Sequence, residues 1–252
     1  MIEHAAAFGV VGQALRQGRV TVRAVTPRAF TTNVHQTIDD RPFGGGDGMI
    51  MLAETAALAL ESLQLGSEKK RVIHLSPRGV PLTDEKARAL AAYEDLVLIS
   101  SRYGGIDERF LESSVDEEIS IGDYVLSGGE LAALVVIDSV SRLLPGVLGN
   151  ETSPEAESFG GPHGLLEYPQ YTRPREWRGR MVPEALLTGD HAKIRDWKEC
   201  VSVLITAERR PELLANVPGS LLARALKIHA PAGVKNLELA KERVQLALKE
   251  KK

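Results

Sequence analysis

Short apolar segments alternate with helical segments along the first 150 residues, and this alternation constrains the fold more than any other feature. Residues 71–75, 96–100 and 117–125 each have the length and apolar content of a buried strand. The helical pattern lies between and around them, at residues 49–65, 83–93 and 130–144, with Thr83 as a plausible N-cap. Strands that alternate with helices predict an α/β domain with a mostly parallel sheet. A further strand is predicted at residues 20–25, where β-branched and polar side chains alternate.

Each of the three apolar strands is followed by a loop rich in serine, proline or glycine, at residues 76–79, 101–105 and 127–129. In parallel sheets the carboxyl ends of the strands meet at one edge, and ligands bind beyond that edge. The sequence therefore predicts a small-molecule site formed by these three loops.

The composition changes after residue 150, where prolines and glycines interrupt any regular element as far as residue 180. Helical patterns return at residues 191–208, 210–216, 221–228 and 237–251. We therefore expect a ligand-binding domain over residues 1–149, a flexible linker over 150–168 and a small, mainly α-helical domain over 169–252.

Charge and cysteine content exclude several classes of protein. The formal net charge is −3, so any nucleic-acid contact must come from local basic patches. Cys200 is the single cysteine, which rules out an intrachain disulfide and a cysteine-rich zinc module and suits a reducing cytoplasm. Residues 1–4 lack the features of a signal peptide, and the longest apolar stretch, residues 131–144, is too short to span a bilayer. We expect a cytoplasmic protein without a membrane segment.

The common nucleotide and hydrolase motifs are missing from the sequence. It contains no G-x-x-x-x-G-K-[ST] phosphate loop, no G-x-G-x-x-G fingerprint and no G-x-S-x-G elbow. The six histidines show no H-x-x-x-H pair, which disfavours a histidine metal site.

Three other segments could serve a ligand or could be ordinary surface structure. The glycine run at residues 44–48 is either a flexible turn or a place of close approach to a partner. Residues 121–130 place glycines on both sides of a short apolar run, which allows backbone groups to approach a ligand, although a plain strand, turn and helix start fits equally. Residues 171–180 combine arginines with Tyr171 and Trp177, a mixture that suits RNA phosphates and bases, and a solvated loop is the competing interpretation.

Taken in order, these segments resemble the bacterial tRNA (guanine-N1)-methyltransferase family from about Phe8 to Asn216. The resemblance rests most on residues 120–130 (SIGDYVLSGGE) and on the run from residue 137 to 149 (IDSVSRLLPGVLG). Further matching blocks are residues 39–46 (DDRPFGGG), 75–77 (LSP), 105–109 (GIDER), 171–174 (YTRP) and 209–214 (RRPELL).

The resemblance implies a trefoil-knotted methyltransferase domain of the SPOUT class, in which two chains of a homodimer share each active site. It also implies S-adenosyl-L-methionine as methyl donor, tRNA as substrate, tRNA contacts from the C-terminal helical domain, and a requirement for magnesium whose ligands the sequence leaves unknown. The implied cofactor-binding residues are Leu75, Ser76, Pro77, Ser101, Arg102, Tyr103, Gly105, Ile121, Gly122, Asp123, Tyr124, Val125, Leu126, Gly128 and Gly129. The implied substrate-binding residues are Asp39, Arg41, Gly45, Gly46 and Arg173.

The chemistry of the implied reaction requires a base and a cation. N1 of guanine carries a proton at neutral pH, so a base must remove it as the methyl group transfers. Negative charge then develops on O6, where a fixed cation stabilises the transition state more than the ground state. By the resemblance, Arg142 is the cation and Glu157, which stands where the family has aspartate, is the base.

This sequence departs from the family pattern at several positions. Glu157 is one methylene longer than the family's aspartate, and Gly104 replaces a glutamate that is thought to help place the cofactor or the metal. Ser101 replaces a glycine and Ala132 a proline. The family also begins with a strand and a Phe-Pro-Glu turn that would precede Met1, so we expect a misplaced start or a truncated sequence.

The resemblance and the departures from it are compatible with three functions. The leading one is an active methyltransferase that modifies the guanine at position 37 of tRNA, beside the anticodon. The second is a relative that binds cofactor and tRNA with weak or no catalysis, which Gly104 and Glu157 motivate. The third is a knotted methyltransferase with another RNA target.

Overall fold

The computed structural model describes residues 1–31, 33–150, 153–229 and 232–251. The chain divides into two compact units, Met1–Glu151 and Thr152–Lys252. In the described part of the chain, no helix is both long and apolar enough to cross a membrane.

The first unit is a mixed α/β fold. Its elements, in chain order, are α1 (Ile2–Ala6), α2 (Gly9–Arg16), a 3-10 helix (Pro27–Phe30), β1 (Asp39–Asp40), β2 (Ile50–Met51), α3 (Ala53–Glu61), β3 (Lys70–Pro81), α4 (Asp84–Leu90), β4 (Asp95–Ile99), α5 (Glu108–Ser114), β5 (Glu117–Ser120) and α6 (Glu130–Ser141). The prediction of strands that alternate with helices is confirmed, and so is the N-cap at Thr83, whose hydroxyl accepts a hydrogen bond from the Lys86 amide at 3.1 Å.

The central sheet has three parallel strands in the order β4–β3–β5, so the prediction of a parallel sheet is also confirmed. In the middle strand, the side chains of Ile73 and Leu75 are buried and pack in one cluster with residues of α4 and α6. On β4 the neighbouring residues Leu98 and Ile99 pack against different clusters, the second of which contains α3 and α5. Because successive side chains of a strand point to opposite faces, helices cover both faces of the sheet.

Strand β3 contains a four-residue excursion that shapes the edge of the sheet. Leu75 and Val80 both pair with Ile119 of β5, so residues 76–79 leave the ladder and β3 resumes after them. The sequence predicted that this strand ends at Leu75, which is wrong because the turn at residues 76–79 interrupts the strand without ending it. Gly79 permits the return: a Cβ atom there would lie 2.4 Å from the backbone of Glu118 and Ile119.

Other sequence-based boundaries also needed correction. No strand forms at residues 20–25: within the described chain this segment pairs with no other strand, and the Ala24 amide donates instead to the Glu3 side chain at 2.8 Å. The helix predicted from residue 49 begins at Ala53, because Ile50 and Met51 pair with β1. The strand predicted over residues 117–125 ends at Ser120, before a turn at Gly122.

The second unit is mainly helical. Its elements are α7 (Ser153–Ala156), β6 (Glu176–Trp177), β7 (Arg180–Met181), a 3-10 helix (Glu184–Leu187), α8 (His191–Arg209), a 3-10 helix (Pro211–Asn216), α9 (Gly219–Ala225) and α10 (Leu237–Lys249). Asp190 caps α8 by accepting hydrogen bonds from the amides of Ala192 and Lys193. Fully buried side chains of α8, α9 and α10, among them Leu204, Leu222 and Val244, form its core.

We predict that Gly79→Ala destabilises the fold, because the added methyl group would overlap the β5 backbone, which belongs to the sheet and cannot easily move. The expected loss is about 1–3 kcal/mol of unfolding free energy, measured by urea denaturation at fixed protein concentration. Gly66→Ala is the matched control, because its Cβ would meet nothing within 4 Å and should change the free energy by less than about 1 kcal/mol. Equal stability of the two variants would show that residues 76–79 do not run as described.

Candidate functional site

A cavity of about 450 Å³ lies at the carboxyl edge of the parallel sheet. Its volume falls within the range of small-molecule sites. Fourteen residues that the sequence predicted for the cofactor lie in its wall; Asp123 is exposed and does not line it. Those lining residues are Leu75, Ser76, Pro77, Ser101, Arg102, Tyr103, Gly105, Ile121, Gly122, Tyr124, Val125, Leu126, Gly128 and Gly129. The structure thus brings the three predicted loops together at one place.

The loop after β5 is shaped by glycine and serine. The Ser120 hydroxyl donates to the Gly122 carbonyl at 3.1 Å, and the Gly122 amide lies 3.2 Å from the same hydroxyl oxygen. Gly122 has φ = +150°, and a Cβ there would lie 2.5 Å from the ring of Tyr124. A side chain at this position would therefore displace Tyr124, whose hydroxyl donates to the Ile121 carbonyl at 3.3 Å.

The loop after β4 is fastened to the start of α6. The Gly129 amide donates to the Ser101 carbonyl at 2.9 Å, and Arg102 forms an ion pair with Glu130 at 2.6 Å. Hydrogen bonding to Glu130 raises the pKa of Arg102 above its ordinary value. A Cβ on Gly129 would lie 2.8 Å from the Cα of Ser100, so the two backbones pass in close contact. This contact fixes two walls of the cavity relative to each other.

Exposed ring and apolar side chains border the cavity. Tyr103, Tyr124 and Val125 are 75%, 54% and 85% exposed although all three are large and apolar or aromatic. Together with the glycine-rich loops, they combine open apolar surface with accessible backbone groups. Such a site suits a flat ring with polar edges better than a compact anion.

A buried hydrogen-bond chain in the cavity wall was missed by sequence reasoning. His74 of β3 is 3% exposed, and its Nδ1 lies 2.9 Å from Oε2 of Glu118 on β5. Its Nε2 lies 2.9 Å from the hydroxyl oxygen of Ser101, in the loop that follows β4. Burial lowers the pKa of His74 below its ordinary value, and the hydrogen bond to Glu118 opposes this only in part. A histidine inside the apolar segment 71–75 was the signal available in the sequence.

Charged residues surround the outer end of this chain. Arg78, in the excursion of β3, donates to Glu118 and to Glu108 of α5, each at 3.0 Å. Burial would raise the pKa of Glu118, but hydrogen bonds from His74, Ser76 and Arg78 outweigh it and lower the pKa. Glu118 is therefore an ionised acceptor at neutral pH.

The two predicted catalytic residues lie in different units. Arg142 is half-buried and is the C-cap of α6, whose N-cap, Gly129, lines the cavity. The rise of an α-helix puts these two residues roughly 20 Å apart along the helix. Glu157 is half-buried in the second unit, just after α7. Neither unit alone brings the two residues together.

The predicted substrate-binding residues lie outside the cavity wall. Asp39, Arg41, Gly45 and Gly46 belong to the hairpin of β1 and β2 in the first unit, where the two glycines have positive φ. Arg173 is exposed in the second unit. The base of this hairpin is tied to the cavity, since the Gly104 amide donates to the Met49 carbonyl at 2.9 Å.

The arginine-rich segment of the second unit forms a short hairpin. Strands β6 and β7 pair through Glu176–Met181 and Trp177–Arg180, with Arg178 and Gly179 in the turn. The Arg178 guanidinium lies 4.8 Å from the centre of the Trp177 ring, which is 56% exposed. All residues from 171 to 180 are exposed, so the hairpin presents cationic and aromatic groups to solvent.

No metal-binding cluster is found in the described residues. Among residues 1–31, 33–150, 153–229 and 232–251, no group of three or more His, Cys, Asp or Glu side chains is arranged to hold a metal ion.

Comparison with known proteins places this site in context. A family profile described as "tRNA (Guanine-1)-methyltransferase TrmD" matches residues 1–216. A protein of Alcanivorax borkumensis, named tRNA (guanine-N(1)-)-methyltransferase, is 51% identical over 208 residues, covering 82% of this chain and 78% of that protein. Proteins with the same name from Pseudoalteromonas atlantica and Neisseria meningitidis serogroup C are 48% and 51% identical; the matches cover 82% and 85% of this chain and 77% and 86% of those proteins.

Proposed function

This chain belongs to the tRNA (guanine-1)-methyltransferase family, and on that premise we propose that it transfers the methyl group of S-adenosyl-L-methionine to N1 of guanine 37 in tRNA, next to the anticodon. The observation that carries the proposal is that fourteen residues assigned to the cofactor from the sequence line one cavity. We further propose that the enzyme acts in the cytoplasm as a homodimer.

The cavity fits a cofactor with an adenosine group. Gly105, Gly122 and Gly129 line the cavity, and a residue without a side chain leaves its backbone groups open to a ligand. Such backbone groups can hydrogen-bond the edge of a base. Tyr103, Tyr124 and Val125 offer apolar surface to the faces of the ring. When bound, S-adenosyl-L-methionine supplies an electrophilic methyl group on a sulfonium.

Residues of the protein must then remove a proton from the guanine and stabilise the negative charge that develops on it. We assign to Glu157 the removal of the proton from N1 of guanine, and to Arg142 the stabilisation of negative charge on O6. A guanidinium is always charged and donates several hydrogen bonds in a plane, which suits a carbonyl oxygen that becomes an oxyanion.

The position of Arg142 supports a site shared by two chains. Roughly 20 Å of helix separates it from the cavity end of α6, so it cannot serve the cavity of its own chain from that helix end. If the α6 helices of two copies meet, the Arg142 of one copy comes within reach of the cavity of the other. The exposed apolar side chains of Leu131 and Val135 on α6 offer a surface for such a contact. We propose that the dimer completes each site.

We assign the remaining roles by domain. Residues 1–149 form the cofactor-binding domain, which we propose to be knotted as in the SPOUT class. Residues 150–168 act as a linker that carries Glu157, and residues 169–252 bind tRNA. Asp39, Arg41, Gly45 and Gly46 of the first hairpin, with Arg173, are assigned to the tRNA.

The family resemblance implies magnesium, but the side chains in the part of the chain that the structure describes do not form a site that would bind it. The described residues offer no cluster of three metal-ligating side chains, and Gly104 carries no carboxylate. We derive no step through a metal ion.

A second candidate is a relative that binds cofactor and tRNA but catalyses weakly or not at all. Gly104 favours it, because a Cβ there would lie 3.0 Å from the Met49 carbonyl oxygen and 3.3 Å from Ile50. This backbone is thus packed too tightly for the glutamate expected from the family without a shift of residues 49–50. The longer side chain of Glu157 is the other motive.

The direct test is methyl transfer from labelled S-adenosyl-L-methionine to unmodified tRNA that carries guanine at position 37. We expect label in this tRNA and none in a matched transcript with adenine there, with the label mapped to N1 of guanine 37. Cofactor and tRNA binding without transfer would establish the second candidate instead, and label at another nucleotide would establish a different RNA target.

We predict that Arg142→Ala lowers kcat by about 10²–10³-fold, because one donor to a developing oxyanion is lost. Glu157→Gln should also abolish turnover, since an amide cannot accept the N1 proton. Both variants should bind S-adenosylhomocysteine and tRNA with unchanged affinity, measured by calorimetry and filter binding. Comparable losses of cofactor affinity and kcat in Arg142→Ala would contradict its assignment to O6, and full turnover by Glu157→Gln would mean that another group is the base.

The β6–β7 hairpin generates a prediction about tRNA binding. Phosphate contacts release counterions, so their number sets the salt dependence of affinity. We expect the double variant Arg178→Ala, Arg180→Ala to weaken tRNA binding and to reduce the slope of log affinity against log salt by about 1–2. Lys69→Ala, which removes an exposed cation just before β3 in the first unit, is the control. An unchanged slope in the double variant would remove the hairpin from the tRNA-binding surface.

A further inference from the structure

The hydrogen-bond chain Glu118–His74–Ser101 crosses all three strands of the central sheet and ends in the cavity wall. Glu118 stands on β5, His74 on β3, and Ser101 follows the end of β4. None of these side chains has a role in the chemistry assigned to Arg142 and Glu157. Both His74 and Ser101 line the cavity, but His74 is almost fully buried, whereas Ser101 is half-buried and can reach a ligand.

The direction of each hydrogen bond follows from the charges around the chain. Glu118 also accepts from Arg78 at 3.0 Å, so it is an ionised carboxylate that can only accept. Nδ1 of His74 must therefore carry a proton. A neutral imidazole with a proton on Nδ1 has a lone pair on Nε2, and the Ser101 hydroxyl must donate to it.

We propose that Glu118 and His74 hold the Ser101 hydroxyl in one orientation, with its proton turned away from the cavity, so that Ser101 presents only an acceptor to the bound cofactor and selects an N–H or O–H group there. The inference rests on the proposed function, because it takes S-adenosyl-L-methionine as the ligand. That ligand offers donors in its 6-amino group, its two ribose hydroxyls and its α-ammonium group. Ser101 is thus a specificity-determining residue, and His74 and Glu118 position it.

The same series of hydrogen bonds makes the affinity for the cofactor depend on pH. His74 faces Glu118 from β5, Arg78 from the excursion of β3 and Glu108 from α5. Because burial is the largest influence, the pKa of His74 lies below its ordinary value, and the ring is neutral at pH 7.5. When the pH falls through that pKa, Nε2 gains a proton and donates to Ser101, whose own proton turns to the cavity. A donor on the ligand then meets a donor, so affinity is present at high pH and is lost at low pH.

The experiment measures affinity for S-adenosylhomocysteine and for four analogues, each without one donor: the 6-amino group, the 2′-hydroxyl, the 3′-hydroxyl or the α-amino group. We expect the wild type to bind one of the four about tenfold more weakly than the parent compound, and Ser101→Ala to lose that discrimination while binding the other analogues in the same order. A merely structural role for Ser101 would weaken all five ligands equally. Ser100→Ala is the matched control, because within the described residues the buried Ser100 hydroxyl has no hydrogen-bond partner and does not line the cavity.

A second measurement does not depend on ligand. In protein labelled with ¹⁵N-histidine, the signals missing from His74→Gln identify His74, and we expect Nδ1 protonated and Nε2 unprotonated at pH 7.5. The wild-type affinity for S-adenosylhomocysteine should fall by about tenfold below the pKa of His74, with a flatter profile in Ser101→Ala. Unchanged discrimination in Ser101→Ala, or a proton on Nε2 at pH 7.5, would overturn this inference alone. Failure of the wild type to bind S-adenosylhomocysteine would overturn the proposed function, and this inference with it.

Discussion

The pairing of both Leu75 and Val80 of β3 with Ile119 of β5 is the constraint on which the site depends. It lets the middle strand of a buried parallel sheet leave the ladder for four residues and rejoin it. The excursion carries Ser76 and Pro77 into the cavity wall and places Arg78 between Glu108 and Glu118. Because the strand continues on both sides, both ends of the excursion are held by backbone hydrogen bonds. A loop that followed the end of a strand would be held by the sheet's own hydrogen bonds at one end only.

Positive charge is distributed unevenly along the chain, and the net charge does not show this. Around the cavity, arginines are paired with carboxylates, as in Arg102 with Glu130 and Arg78 with Glu108 and Glu118, so the cavity wall carries little excess charge. The β6–β7 hairpin of the second unit instead exposes arginines beside Trp177. A net charge of −3 therefore coexists with a local cationic surface, which is what phosphate binding requires.

The sequence was a good guide wherever local signals and tertiary structure agree. Apolar runs with glycine-rich ends located the parallel strands and the cavity, and Thr83 was recognised as a cap. The strand predicted at residues 20–25 does not form. Alternating side chains indicate a half-buried face, but a strand also needs a neighbouring strand to pair with. Residues 50 and 51 were read as helix because pairing with residues 39 and 40 is non-local. The link of His74 to Ser101 and Glu118 lay beyond reach, since it joins residues 27 and 44 positions apart.

Helix α6 runs from the cavity to Arg142, the proposed catalytic cation. Its first turn is tied to the cavity through Gly129 and the Arg102–Glu130 pair, and its last residue is followed by Arg142. A rigid helix of this length holds the two groups apart, so under the proposed function the cavity and the arginine of one site come from different chains. In the symmetric dimer that we propose, the same contact would occur twice, and each cavity would receive the arginine of the other chain. Under the proposed assignment, a dissociated chain would still have its cofactor cavity but would lack the cation for O6, so dissociation would abolish turnover before it abolished cofactor binding.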